Sequence, residues 1–362
     1  MDSNDSTKRL YSNPEKRFLL IGAPLILALF ILSGVAWHVL SAPRGNSYPV
    51  RFVVPLNASS VTIKDKLITE RHLRYSWVFH LFERGDIEPG GYIIEKPMSI
   101  FALLDHLHQP PALRWVVIPE GYRKEQIAER LALTLAWGRE SVRDFIAIDN
   151  DPDSNTSEGV YFPDTYLIGV NEAGTEVAAR LNRRFSEVFA PYAKEALEQN
   201  IRWQTIIKIA SIIQREAAGS SDMRLISGII WNRLLQDQKL DIDATVQYAR
   251  DTYENYEIKE ACARDGLALC PGWTKTYHGN AAKSHGWWRP IESADKNLSF
   301  FNTYRASGLP ERPIGNPGLA AIEAALRPEE TKCFYYLHDK SGAIHCAESF
   351  AEHKDNIEEY LR

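Results

Sequence analysis

Hydrophobic and polar positions have helical spacing most clearly in residues 203–217, where apolar side chains recur every three or four residues. Glu216 does not lie on the polar side of this predicted helix. Its face is shared by Ile209, Ile212 and Ile213, which precede it by seven, four and three residues. A carboxyl group set against isoleucines loses hydration, which raises its pKa. A general acid needs such a group, although a structural glutamate paired with a nearby arginine has the same pattern.

Two further patterns follow Glu216. Residues 225–235 have helical spacing, whereas apolar and polar residues alternate from Lys239 to Tyr248, which predicts a half-buried strand. One face of that strand would carry Asp241, Asp243, Thr245 and Gln247. Carboxylate, hydroxyl and amide groups in a row offer the donors and acceptors that sugar hydroxyl and acetamido groups require. An ordinary strand with a solvated polar face has the same alternation, so both interpretations stay open.

The remaining patterns complete an α+β chain. Further helices are predicted at residues 123–137, 140–148 and 173–190, and strands at 51–54, 90–94 and 115–118. Asn316 and Pro317 predict the start of another helix, with Asn as the N-cap and Pro at the first helical position. The region 250–298 is rich in Gly, Trp and charge, and its pattern predicts neither helix nor strand.

Residues 41–111 form a smaller segment. A strand at 51–54 is followed by helical spacing from Ser60 through Leu73, then by a turn and strand at 90–94 and a helix capped by Ser99. The size and order of these elements resemble a LysM-like module, which implies glycan binding. A plain α+β spacer is the alternative that the composition leaves open.

The N-terminal segment breaks the pattern of a soluble chain. No Asp, Glu, Lys or Arg occurs in the 23 residues from Phe18 to Leu40. At about 1.5 Å per residue, this length spans a bilayer core of about 30 Å. Trp37 near its end suits a membrane interface. A cleaved signal peptide is the alternative. However, the apolar stretch is longer than the apolar core of a signal peptide, and Pro43 directly follows the nearest small residues at which cleavage could occur.

Charges around this segment predict its orientation. Four positive residues precede it and two follow it closely: Lys8, Arg9, Lys16 and Arg17, then Arg44 and Arg51. The excess before the segment places the N-terminus in the cytoplasm. We therefore predict a cytoplasmic tail over residues 1–17, a transmembrane helix over 18–40 and an extracytoplasmic remainder.

Composition and motifs exclude several functional classes of protein. The 362 residues are 44% hydrophobic and 25% charged, as in folded proteins, and a net charge of -5 argues against a nucleic-acid partner. No P-loop, dinucleotide fingerprint or compact metal-ligand cluster occurs, so neither a cofactor nor a metal is predicted. Cys333 and Cys346 flank a turn-like segment and predict a hairpin. Together with Cys262 and Cys270 they would form two local disulfides in an oxidising compartment, and four unpaired thiols are the alternative.

Several short blocks occur in a fixed order along the chain. They are Pro119-Glu120-Gly121-Tyr122, residues 158–166, residues 209–217, Asn232-Arg233-Leu234, residues 240–248, Asn302-Thr303-Tyr304, residues 308–310, 313–314 and 316–318, His345, and Glu352-His353. This order resembles the endolytic murein transglycosylase family, the YceG-like proteins. The resemblance covers nearly all of the chain after the apolar segment and implies a larger α+β catalytic domain of that type over residues 112–362.

The resemblance also implies an activity. The family cuts the β-1,4 bond between N-acetylmuramic acid and N-acetylglucosamine in peptidoglycan without water, and it leaves a 1,6-anhydro end. Glu216 matches the catalytic glutamate and would be the sole acid and base. Gln214 replaces the first Glu of the family's paired pattern. Peptidoglycan glycan strands are the implied substrate and peptidoglycan synthases the implied partners, at the bacterial inner membrane.

Six further residues are expected to contact the sugars: Asp243, Asn232, Arg233, Gln247, Asn302 and Tyr304. Either Asp243 or the acetamido group of the substrate would stabilise the positive charge of the sugar ring. Holding loops together is the alternative role for the Asn and Tyr residues. Two other functions would keep the same residues: a muramidase that uses Glu216 with a water nucleophile, and a non-catalytic glycan-binding scaffold of the wall-synthesis machinery.

Overall fold

The computed structural model of the chain describes residues 22–43, 47–146, 158–252, 287–292 and 301–362. The chain forms two compact units that divide between Trp115 and Val116. Each unit combines helices with strands, so the predicted α+β class is confirmed. Most of the region 250–298 lies outside the described residues.

Helix α1 (Ala23–Leu40) is the apolar helix near the N-terminus. Its mean hydropathy is 2.1, and none of its side chains is buried. Its 18 residues rise about 27 Å, close to the ~30 Å hydrocarbon core of a bilayer. Length and composition therefore suit α1 to cross a membrane, and a signal sequence would pass the same test. Residues 18–21 of the predicted span lie outside the described residues.

Two strands and three helices follow in the first unit. They are β1 (Val50–Val54), α2 (Ser60–Thr69), α3 (Ser76–Phe82), β2 (Gly90–Ile94) and α4 (Ile100–Leu107). The strands β1 and β2 are antiparallel, with Val50 opposite Ile94. Gly91 of β2 pairs with Leu113, where β3 (Leu113–Val117) begins. Helix α3 is absent from the sequence prediction, because seven residues contain too few helical turns to reveal a period.

The first unit has its own hydrophobic core. Phe52, Phe79 and Leu107, from a strand and two helices, are fully buried in it. The predicted cap at Ser99 is confirmed, since its side-chain oxygen accepts a hydrogen bond from the backbone N–H of Ala102 at 3.4 Å. Local capping and a shared apolar face therefore determine this unit together.

The second unit contains the remaining elements. They are α5 (Lys124–Leu135), α6 (Arg139–Ile146), β4 (Thr165–Gly169), α7 (Gly174–Glu198), α8 (Trp203–Glu216), α9 (Met223–Leu235), α10 (Leu319–Leu326), β5 (Tyr335–His338), β6 (Ile344–Ala347) and α11 (Phe350–Tyr360). Residues 243–252 are also helical and are called the 243–252 helix. Strands β5 and β6 form an antiparallel hairpin with His338 opposite Ile344, which confirms the predicted hairpin.

Helix α8 lies in the middle of the larger core. Ile206, Ile209, Ile212 and Ile213 are fully buried, and the helix packs against α9 and α10. The predicted helix is therefore confirmed, and its last residue is Glu216. Burial of the isoleucine face places the end of α8, and the carboxyl group there, at a fixed point in the unit.

The strand predicted from Lys239 onward is wrong, because residues 243–252 form a helix. Asp241 has a φ of 51°, in the left-handed region, which interrupts an extended chain. Ile242 and Val246 are both buried, and their spacing of four residues suits a helix face as well as a strand face. A short alternating segment satisfies both periods, and tertiary packing selects the helix here.

The predicted helix start at Asn316 is also wrong. Helix α10 begins at Leu319, and its N-cap is Gly318. The Asn316 side-chain oxygen instead accepts hydrogen bonds from the backbone N–H groups of Gly159 and Tyr161, at 3.0 and 2.8 Å. This asparagine therefore stabilises a distant segment rather than the helix that follows it.

A disulfide between Cys333 and Cys346 closes the β5–β6 hairpin, with Cα atoms 5.8 Å apart. This is one of the two predicted pairs, and the other pair lies outside the described residues. Asp339 organises the turn: its Oδ1 accepts a hydrogen bond from the backbone N–H of Ser341 at 2.8 Å, and its Oδ2 lies 2.9 Å from His345 Nε2. The hairpin is thus stabilised at both ends.

Candidate active site

The carboxyl group of Glu216 meets both the hairpin and the 243–252 helix. Tyr336 Oη donates a hydrogen bond to Glu216 Oε2 at 2.8 Å, and the backbone N–H of Ala244 donates to the same carboxyl group. Burial is the largest influence and raises the pKa of Glu216, while these two hydrogen bonds oppose it. The side chain still keeps some contact with solvent. A carboxyl group in such a place holds its proton to higher pH and remains accessible.

Asp243 and Tyr304 lie at the same place. Asp243 is the first residue of the 243–252 helix, and Tyr304 Oη donates a hydrogen bond to Asp243 Oδ1 at 2.6 Å. The negative charge of Asp243 contributes to the raised pKa of Glu216, so the two carboxyl groups are within electrostatic reach. Burial, and then the bond to Asp243, raises the pKa of Tyr304. Three of the predicted site residues are thus brought together.

Sequence reasoning missed Tyr336, His338 and Asp222 at this site. His338 Nε2 lies 2.7 Å from Asp222 Oδ2, and Asp222 also accepts a hydrogen bond from the backbone N–H of Ala218 at 2.9 Å. These contacts connect the loop after α8 to β5. Tyr336 and His338 are two residues apart in the predicted hairpin, so strand periodicity was the signal available for them. Among the described residues, no group of three or more His, Cys, Asp or Glu side chains is placed to hold a metal ion.

Asn232 and Arg233 of α9 bind backbone carbonyl groups. The Asn232 side-chain amide donates to two carbonyl oxygens before β5, at 2.8 and 3.1 Å. Arg233 donates to the carbonyl oxygens of Phe334 and Leu240, at 2.6 and 2.8 Å. These contacts join α9 to the start of the hairpin and to the segment before the 243–252 helix.

Asn302 and Gln247 are the other two predicted contacts. Asn302 is buried, and its side-chain oxygen accepts a hydrogen bond from the backbone N–H of Tyr304 at 2.9 Å. It therefore shapes the turn that presents the Tyr304 ring to Asp243. Gln247 is half-buried on the 243–252 helix.

Gln214 lies where two of the short sequence blocks meet. Its side-chain oxygen accepts a hydrogen bond from the backbone N–H of Gly318 at 2.9 Å. A Cβ atom at Gly318 would stand 2.0 Å from the carboxyl group of Glu120, so this exposed side chain would have to move to admit a larger residue. Gly121 has a φ of 76° and lies against Gln214. The positive φ therefore explains the glycine at position 121, and the hydrogen bond from Gly318 joins its block to Gln214.

A second buried carboxyl group, that of Glu158, belongs to the same unit. It accepts hydrogen bonds from the Asn316 side-chain amide at 2.6 Å, the backbone N–H of Lys124 at 3.1 Å and the hydroxyl of Tyr248 at 3.3 Å. Burial raises the pKa of Glu158 to about 7. Asn316 also donates to the carbonyl oxygen of Tyr122 at 2.9 Å. Glu158 and Asn316 together hold four of the short blocks in one arrangement.

A buried arginine and two tryptophans form a cluster that reaches the helix carrying the candidate acid. Arg123 is fully buried, donates to Glu125 at 3.2 Å and lies 4.6 Å from the centre of the Trp287 ring. The neighbouring Trp288 ring lies 4.2 Å from the guanidinium group of Arg215. Stacking on a tryptophan therefore restrains the residue that directly precedes the candidate acid.

The fold and the site define a mixed α+β protein with one desolvated carboxyl group at the end of a core helix. The chain belongs to the YceG-like family, which matches residues 52–359. A crystal structure of a yceG-like protein from Listeria monocytogenes has a similar fold, with a TM-score of 0.53 and 22% sequence identity. The similarity covers 84% of this chain and 98% of that one.

Relatives of the chain in Streptococcus pneumoniae and Bacillus subtilis carry the name endolytic murein transglycosylase. The protein from Streptococcus pneumoniae serotype 2 is 24% identical over 334 residues, which are 83% of this chain and 55% of the relative. The protein from Bacillus subtilis strain 168 is 21% identical over 346 residues, which are 89% of this chain and 84% of the relative. The chain thus spans about half the length of the pneumococcal relative.

Proposed function

We propose that this chain cuts peptidoglycan glycan strands internally, as a lytic transglycosylase. The names of the relatives support the reaction class. The observation that carries the proposal is the Glu216 carboxyl group, which burial keeps protonated to higher pH and Tyr336 orients. Ordinary glycosidases need two carboxyl groups at a fixed separation. A reaction in which the substrate supplies its own nucleophile needs only one titrating group.

In the proposed reaction, protonated Glu216 donates its proton to the oxygen between N-acetylmuramic acid and N-acetylglucosamine. The bond from that oxygen to C1 of the muramyl residue breaks, and the N-acetylglucosamine unit leaves with a free 4-hydroxyl group. Glu216, now a carboxylate, takes the proton of the muramyl C6 hydroxyl group, and the oxygen of that hydroxyl group bonds to C1. The product is a 1,6-anhydro end, no water is consumed, and Glu216 has regained its proton.

Stabilisation of the positive charge at C1 is assigned to Asp243. Its carboxyl group is within electrostatic reach of Glu216, and the hydrogen bond from Tyr304 fixes its direction. A negative charge held at this place stabilises an oxocarbenium-like transition state. The acetamido group of the substrate is the alternative partner for that charge.

Sugar contacts are assigned to Tyr304 and Gln247, on the two segments that meet at Asp243. Asn232, Arg233 and Asn302 donate to or accept from backbone groups around the site. We assign these three an indirect contribution, in which they position the hairpin and the Tyr304 turn against the substrate.

Residues 18–40 are proposed to anchor the chain once in the bacterial inner membrane, with residues 1–17 in the cytoplasm. The excess of positive charge before the span supports this orientation, and the disulfide at Cys333 supports an oxidising compartment for the second unit. Residues 41–111 are proposed as a LysM-like glycan-binding module and residues 112–362 as the catalytic domain. Peptidoglycan synthases are the proposed partners.

Mass spectrometry of the products from purified glycan strands tests this function. The proposal expects shortened strands that end in 1,6-anhydro-N-acetylmuramic acid. Shortened strands with reducing ends would identify a muramidase that uses Glu216 with water. Strands that are retained on the protein but keep their length would identify a glycan-binding scaffold. Either of these two outcomes contradicts the transglycosylase assignment.

A further inference from the structure

Helix α3 exposes two large apolar side chains on its outer face, beside the polar Ser76 and His80. Trp77 and Leu81 lie one helical turn apart, and 56% and 63% of their surfaces are exposed. Phe101 of α4 is 50% exposed, and its ring lies 4.7 Å from that of Phe82, at the end of α3. The opposite face of α3 is also apolar, since Phe79 is fully buried. Large apolar side chains exposed next to one another mark a surface that a second apolar environment can cover.

The beginning of α3 is fixed to the end of α1. Arg74 donates a hydrogen bond to the carbonyl oxygen of His38, in the last turn of α1, and its guanidinium group lies 2.9 Å from His38 Nδ1. The ring of Tyr75 lies 6.4 Å from that of His38. Leu40, the last residue of α1, packs against the core of the first unit. The apolar face of α3 therefore starts beside the end of the apolar helix.

If α1 crosses a bilayer, the position of its last turn determines how far the start of α3 lies from the hydrocarbon core. The 18 residues of α1 measure about 27 Å, which nearly equals the ~30 Å hydrocarbon core. If α1 crosses the bilayer, its last turn must lie at the boundary with the headgroups. Trp37 in that turn is 78% exposed, as an interfacial tryptophan would be. Tyr75 lies beside this turn, since its ring is 6.4 Å from that of His38, and Trp77 follows two residues later. Tyrosine and tryptophan are the residues enriched at this boundary.

We propose that the patch formed by Tyr75, Trp77, Leu81 and Phe101 inserts into the headgroup region of the bilayer that α1 crosses. The first unit then lies on the membrane surface rather than hanging from a free tether. The patch starts beside the end of α1, whose apolar surface would already contact lipid. We therefore infer that lipid, rather than a protein partner, covers the patch. The inference depends on α1 as an anchor and not on the proposed enzymatic activity.

Fluorescence quenching in proteoliposomes tests the patch. The full chain and its Trp77→Phe variant are reconstituted in phosphatidylcholine vesicles with or without bromine on the acyl chains near the headgroups. The difference between the two proteins isolates the emission of Trp77, because Trp37 and the seven other tryptophans contribute equally to both. We expect most of the Trp77 emission to be lost in the brominated vesicles.

Trp115→Phe is the matched control in the same unit. Trp115 is half-buried and donates a hydrogen bond to the carbonyl oxygen of Val54 at 2.9 Å, so its emission should be the same in both kinds of vesicle. A second variant, Trp77→Phe with Leu81→Trp, moves the fluorophore one turn along the patch, and its emission should again be lost. Unquenched emission from both positions would show that the patch does not contact lipid and would overturn the proposal.

Discussion

Glu216 holds its proton because the surrounding protein penalises its carboxylate form. Burial raises the pKa, the charge of Asp243 raises it further, and the hydrogen bonds from Tyr336 and Ala244 limit the shift. A group balanced in this way is protonated before the reaction and can still ionise during it. The pKa of this one residue can therefore be tested through the pH dependence of stability and of activity.

Stability should show the raised pKa of Glu216. Because the native pKa lies above the unfolded value of 4.5, protonated Glu216 stabilises the folded state, and this contribution is lost as pH rises through the native pKa. Glu216→Gln remains neutral, so it should raise the free energy of unfolding at neutral pH and change it little below the unfolded pKa. Urea unfolding of both proteins in detergent solution measures this. An equal difference at both pH values would contradict the raised pKa.

Tyr336→Phe should change the pH dependence of the reaction. The hydrogen bond from Tyr336 lowers the pKa of Glu216, so its removal should move the falling alkaline limb of the pH–rate profile to higher pH. The overall rate should also fall, since the carboxyl group loses an orienting contact. Tyr335→Phe is the matched control, because the Tyr335 ring stacks on His353 at 5.4 Å. The account fails if both variants have the wild-type profile.

Gln214→Ala should leave the chemistry nearly unchanged. The Gln214 side chain binds the backbone of Gly318 and is not assigned a proton-transfer step. Loss of this hydrogen bond should cost about 1 kcal/mol of stability. Product assays together with urea unfolding separate the two effects. A loss of activity as deep as that of Glu216→Gln would show that, of Gln214 and Glu216, the wrong residue has been given the proton transfer.

At the scale of elements, local patterns predict what local forces determine. The isoleucine face of α8, the cap at Ser99 and the hairpin between Cys333 and Cys346 all follow from neighbouring residues. The segment after Lys239 does not, because its short alternation suits two periods and the 243–252 helix is selected by packing. Contacts across long sequence separations, such as that of Tyr336 with Glu216, need the fold itself.

Asn316 connects elements that are far apart in sequence. Asn316→Ala removes the acceptor of two backbone N–H groups and the donor to Glu158, all of them buried. Unsatisfied buried groups cost about 1–3 kcal/mol each, so we expect a loss of about 3 kcal/mol or more. Asn356→Ala is the control, because its amide makes a single 3.4 Å hydrogen bond to Cys346. Similar unfolding curves for the two variants would contradict this role.

At the scale of the whole molecule, order along the chain carried more information than any single pattern. The short blocks around Pro119, Glu158 and Asn316 are far apart in sequence, yet the structure joins them through shared hydrogen bonds. These blocks therefore form one packed arrangement in the second unit, although they are separate in the sequence. Composition alone indicated a folded chain with an apolar N-terminal helix, and it could not indicate which carboxyl group carries the chemistry.

The most direct test of the account compares wild type with Glu216→Gln on purified glycan strands. Mass spectrometry measures the 1,6-anhydro ends, and circular dichroism with thermal unfolding shows whether the variant keeps the fold. The account predicts that the variant folds normally and forms no anhydro product. A folded Glu216→Gln protein that still forms anhydro ends at a substantial rate would contradict the central claim that Glu216 is the sole acid and base.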